Sequence, residues 1–167
     1  MPFPLHPETP AGGMTLADLF RGRPVDLAAS RVRLAKLMAA EGLPFDPGDR
    51  LYNTRLAQEL ARWADEHGGG AVHDALFRAY FVGGADLADV EALVRIAASV
   101  GLPAAEARDV LVGRRLQATV DADWERAAAL GVTAVPTFVV GRRGVAGAQP
   151  FEVLEQLVVA GGARRRD

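Results

Sequence analysis

No cysteine occurs among the 167 residues, and that one absence removes disulfides, thiolate nucleophiles and thiolate metal sites together. Long apolar runs are also missing: no stretch of about 18 uninterrupted apolar residues exists that would span a membrane. The opening, Met1-Pro2-Phe3-Pro4-Leu5-His6-Pro7, lacks a basic region followed by an apolar one, so the expected location is the cytoplasm. Neither sign of charge dominates. With 19 Lys and Arg against 21 Asp and Glu, the net charge of -2 gives no general electrostatic case for nucleic acid or an acidic membrane surface.

Residues that carry chemistry are scarce as well. Ser30 and Ser99 both lie inside helical patterns, and neither stands on a Gly-x-Ser-x-Gly elbow, which argues against a serine hydrolase. His6, His67 and His73 do not form His-Glu-x-x-His, and a separation of six does not place His67 and His73 on one helix face. No metal site, cofactor or catalytic residue is therefore assigned.

What is present reads as one globular domain of ordinary size, with 50% hydrophobic and 24% charged residues. Residues 1 to 13 are proline-rich and end in Gly12-Gly13, so they run as an extended or turning segment. Helices are expected from Thr15 to Phe20, from Asp26 to about Glu41, and from an Asn53 cap to the Gly68-Gly69-Gly70 stop. Another is expected over Ala71 to Val82, apolar on several sides and hence the most buried, with further helices at 86–100, Pro103 to Val112 and Arg114 to Leu130. Trp63, Phe77, Tyr80, Phe81 and Trp124 are read as core packing ahead of a ligand pocket.

The period then changes. Thr137 to Val140 follows Val135-Pro136 as a short β-branched and aromatic run, where proline can open a strand without removing a ladder donor from its middle. Gly141 to Gly144 reads as a turn and Val145 to Ala148 as the returning strand, which explains the spaced glycines better than a phosphate loop does. Pro150 starts a last helix with Phe151, Leu154, Leu157 and Val158 facing inward, and Ala163 to Asp167 reads as a solvated tail.

Several fragments in consistent order carry a resemblance. Pro2-Phe3-Pro4-Leu5-His6-Pro7-Glu8 with Gly13-Met14, Asn53-Thr54-Arg55-Leu56-Ala57, Phe77-Arg78-Ala79-Tyr80-Phe81, Gly131-Val132, Val135-Pro136-Thr137-Phe138 and Gly147-Ala148-Gln149-Pro150 resemble the FrnE-like, cytoplasmic branch of the DsbA family of thioredoxin-fold proteins. The resemblance implies a mostly helical α+β fold: an incomplete thioredoxin fold with a helical insertion from about 26 to 130 and a terminal β-hairpin plus helix at about 131–162. It also implies that Ala134, Val135, Pro136 and Thr137 form the family's cis-proline loop, which would face the thiols and where a peptide or glutathione is the expected partner.

The family's activity is protein thiol–disulfide exchange, carried by a Cys-x-x-Cys pair at the start of a first helix. That strand, helix and cysteine pair have no counterpart here, so the chain alone is expected to be redox-inactive. A start inside a longer reading frame and a genuinely non-catalytic binding module or scaffold both fit. A third possibility is a glutathione-dependent isomerase of similar fold, in which the backbone at Val135 would hold the peptide part of glutathione. The strand edge left open at Thr137 to Val140 leads to the expectation of a homodimer paired through that edge.

Overall fold

The structure, a computed structural model, describes residues 1–164. Its contacts divide the chain into two compact units: His6–Asp121, and Met1–Leu5 together with Ala122 onward. Among the described residues there are eight helices and two two-stranded sheets, a mostly helical α+β architecture. None of the helices is long and apolar enough to cross a membrane.

The larger unit opens with a sheet that the sequence does not announce. β1 (Met14–Thr15) pairs antiparallel with β2 (Arg50–Leu51), Met14 opposite Leu51. Two residues per strand are too few to show alternation. Gly13 makes the pairing possible: its φ is +71°, and a Cβ there would lie 2.7 Å from the Leu51 carbonyl oxygen. α1 (Leu16–Leu19) starts at Thr15, whose Oγ1 accepts from the Asp18 amide at 3.0 Å. α2 (Leu27–Ala40) is capped by Asp26 and buries none of its residues.

The core belongs to the next four helices. α3 (Arg55–Glu66), α4 (Ala71–Phe81), α5 (Val90–Ser99) and α6 (Ala104–Val112) pack on one another around Leu60, Trp63, Val72, Leu93 and Leu111. The most buried helix is α3, with six buried residues, and not the 71–82 segment expected from composition. In α4 only Val72 and Leu76 are buried, while Phe77 is 62% exposed. A segment apolar on several sides can bury only the side that meets a neighbour, and overall apolarity does not say which side that is.

Helix starts differ slightly from expectation. Thr54 and not Asn53 is the cap position of α3, yet the Asn53 Oδ1 still accepts from the Arg55 amide at 3.0 Å. Residues 86–89 precede α5, which Asp89 caps by accepting from the Ala92 amide at 2.6 Å. α7 (Gln117–Ala129) begins three residues after the expected Arg114, because Arg114 has φ +50° and turns the chain instead of continuing a helix.

The smaller unit holds β3 (Thr137–Val140), β4 (Arg143–Ala146) and α8 (Phe151–Ala160). The hairpin is tighter than expected, and β4 therefore starts two residues earlier than Val145. Gly141 alone supplies the positive φ, +62°, at the first central position of a two-residue turn, the pattern of type II′. Of the four residues expected to face inward from α8, Leu157 is buried and Leu154 half-buried, but Phe151 and Val158 are 69% and 43% exposed. A two-stranded hairpin is narrower than the apolar stripe of that helix. The last turn sits close on β3: a Cβ on Gly161 would fall 2.1 Å from the Val140 Cγ1. Residues 165–167 of the expected tail lie outside the described residues.

Candidate functional site

α7 ends where Gly131, at φ +69°, lets the Gly131 and Val132 amides return to the carbonyls of Ala128 and Ala127 at 2.9 and 3.0 Å. That stop delivers the chain to the Ala134–Thr137 loop at the start of β3. The Val135–Pro136 peptide is cis. Two contacts hold the loop from either side: the Thr137 hydroxyl donates to the Ala134 carbonyl at 2.6 Å, and the Gly147 amide donates to the Pro136 carbonyl at 2.8 Å. Both tie the proline turn to the hairpin that follows it.

Between these fixed points Val135 is left open. Among the described residues its backbone N–H and C=O have no hydrogen-bond partner, and the residue is 46% exposed. β3 pairs only with β4 among the described residues, so its other edge presents unpaired backbone groups beside Val135. A cleft of about 400 Å³ adjoins the hairpin, with Leu130, Val132, Thr133, Thr137 and Val139 among its lining. Of the four residues named from sequence, Thr137 lines this cleft, while Ala134, Val135 and Pro136 are exposed beside it. Arg143 is used within the unit, donating from Nη1 to the Ala160 carbonyl at 3.3 Å at the end of α8.

No ionisable side chain stands in the Ala134–Thr137 loop. Its open groups are one backbone donor, one backbone acceptor and a strand edge, with no ionisable side chain to give or take a proton. Among the described residues no group of three or more His, Cys, Asp or Glu side chains is placed to hold a metal ion.

Sequence reasoning missed a charged cluster in the larger unit. Glu59 is fully buried, and its carboxylate accepts from Arg114 Nη2 at 2.7 Å, from Arg114 Nε at 3.1 Å and from Arg55 Nε at 3.4 Å. Arg55 also pairs with Asp121 and donates to the Gln117 carbonyl at 3.2 Å. The hydrogen bonds to Glu59 raise the Arg114 pKa above its ordinary value, against the opposing effect of burial. Only the (i, i+4) spacing of Arg55 and Glu59 is readable in sequence. This cluster ties α3 to the α6–α7 corner.

The two other motif regions also do structural work. Asn53 donates through Nδ2 to the carbonyls of Thr9 at 3.0 Å and Pro7 at 3.3 Å, fixing the segment that leads to β1. Phe77 and Phe81 stack at 6.1 Å, Phe45 and Phe81 at 6.3 Å, and Tyr80 meets Phe81 edge-on at 5.0 Å.

The family model of the DSBA-like thioredoxin domain matches residues 1–159. The chain belongs to that family. A crystal structure of a probable DsbA oxidoreductase from Streptomyces coelicolor is 33% identical, with a TM-score of 0.85, covering 98% of this chain and 74% of that one. A candidate protein disulfide isomerase from Nitrosomonas europaea is 20% identical, with a TM-score of 0.64 over 80% of this chain and 72% of its own, and shares the fold. No curated protein sequence matches the chain. In this DSBA-like chain the proline loop is therefore read on a thioredoxin-type fold, in residues that contain no thiol.

Proposed function

We propose that the chain is a polypeptide-binding member of the DSBA-like thioredoxin family, of the FrnE-like branch, that performs no thiol–disulfide exchange by itself. The observation that carries this is the unpaired backbone of Val135 beside the open edge of β3. An extended segment of another polypeptide satisfies both by adding a strand, with backbone hydrogen bonds providing affinity and the cleft beside Thr137 and Val139 receiving side chains. The absence of cysteine supports the second half, since exchange requires a thiolate to attack a disulfide sulfur.

Titrating isotope-labelled protein with a reduced, carboxymethylated polypeptide tests the reading. The amide resonances of Ala134, Val135 and Thr137 to Val140 should move, and reduction of insulin by dithiothreitol should proceed at the rate without protein. Unchanged loop resonances, or an accelerated reduction, would overturn the proposal. Movement with glutathione and not with polypeptide would replace it by the isomerase-like reading.

A further inference from the structure

α2 is a helix that its neighbours barely cover. It spans 14 residues, none of them buried, with Val32 56%, Leu34 45% and Leu37 57% exposed. Helices shorter than roughly 12–15 residues are marginal in water, and in proteins their stability comes mainly from packing an apolar face. Beside α2 lies an apolar groove of about 400 Å³, lined in part by Met38, Leu43, Phe77, Phe81 and Val82. Leu43, Phe77 and Val82 are 46%, 62% and 40% exposed.

The sequence of α2 indicates what covers it. Leu27, Arg31, Leu34, Met38 and Glu41 succeed one another at spacings of four, three, four and three, which puts them on one stripe. Leu34 and Met38 are equidistant from position 36, and so are Arg31 and Glu41. If a second copy of the stripe is laid on the first antiparallel about that point, Leu34 meets the partner's Met38 and Arg31 meets the partner's Glu41, with each contact repeated by symmetry. A two-fold interface requires this self-complementarity, in which residue i meets j and j meets i.

We propose that the chain forms a two-fold homodimer through α2, with the groove beside α4 continuing the buried surface. Leu34, Leu37, Leu43, Phe77 and Val82 are each between 40% and 62% exposed, and such a set of large apolar residues suits the non-polar centre of an interface, whose standard size is roughly 800 Å² a side. Arg31 at present holds Asp46 at 3.2 Å, with side chains 51% and 81% exposed. Exchanging so exposed a pair for the partner's Glu41 costs little. Arg33 and Lys36 fall on the opposite side of the helix, away from the seam.

Sedimentation velocity of the whole chain over a micromolar concentration series tests the assembly. The native protein should be dimeric, and Leu34→Glu should raise the dissociation constant at least about ten-fold with the circular dichroism spectrum unchanged, because the position is not buried. Arg31→Glu and Glu41→Arg should each weaken the dimer, and the two together should restore it. A monomer throughout the series overturns the proposal and leaves α2 to a different partner. A dimer indifferent to Leu34→Glu and to the charge exchange, but lost on Val139→Pro, also overturns it and places the pairing at the β3 edge.

Discussion

The two units solve the problem of covering apolar surface to different degrees. The helical unit buries Leu60, Val72, Leu93 and Leu111 to 0% exposure, and these side chains come from four helices packed on one another. The hairpin unit buries Ala127 and Leu157, but leaves Phe138, Val139, Phe151, Val158 and Val159 between 39% and 69% exposed. A two-stranded hairpin is at best marginally stable alone. The contrast separates a unit that covers most of its apolar surface from one that leaves apolar side chains and a strand edge open. It also puts the candidate binding loop in the less covered part, and low burial is where local opening requires least energy.

The largest expected effect sharpens the first half of the comparison. Glu59→Gln removes the charge from a fully buried carboxylate and weakens its hydrogen bonds from Arg55 and Arg114, so the helical unit should lose about 1.5–3 kcal/mol. The loss would be read as a lower urea midpoint in circular dichroism at 222 nm. A midpoint unchanged within error would show that the cluster is not what holds α3 to the α6–α7 corner.

A smaller effect is expected for the hairpin unit. Gly161→Ala forces a methyl group into the Val140 side chain, and overpacking of this kind costs about 1–3 kcal/mol. Hydrogen exchange at Thr137 to Val140 should accelerate while the core amides of α3 and α5 keep their protection. Equal acceleration in both places would break the comparison, because it would show a single cooperative unit.

The smallest effect concerns the α5–α6 surface. The hydrogen bond from Arg108, reinforced by its charge, holds the Glu91 carboxyl below its ordinary value of 4.5, against a weaker opposing effect of burial. A depressed folded pKa means that the stabilisation is present above the unfolded value and is lost as pH falls through the lowered folded one. Glu91→Gln should therefore narrow the gap in urea midpoint between pH 7 and pH 3 slightly. An unchanged gap would mean that this exposed pair contributes nothing measurable.

How much of this was legible in sequence depended on what kind of signal each element carries. β3 was readable to the residue, because a proline, a β-branched run and a glycine turn mark its start, body and end. Helices α2 and α3 were readable within the one or two residues by which helix ends vary, and α5 from its glycine stop, its start coming four residues later than expected. The burial of α4 and α8 was not, since both are apolar on more sides than one neighbour can cover. β1 and β2 were invisible at two residues each. At the candidate site, Ala134 to Thr137 were singled out through Pro136, whereas the unpaired backbone of Val135 depends on where the hairpin returns and has no mark in its own side chain.

Arg114 carries two obligations at a single position. Its φ of +50° turns the chain between α6 and α7, and its guanidinium grips Glu59. Glycine would relax the backbone, where the left-handed conformation costs an ordinary residue about 1–2 kcal/mol, yet would abandon the carboxylate. Lysine would keep a positive charge without the two-pronged grip. Neither requirement can be improved without worsening the other, so substitution at this corner is a compromise between geometry and charge, and position 114 should tolerate little change until Glu59 changes with it.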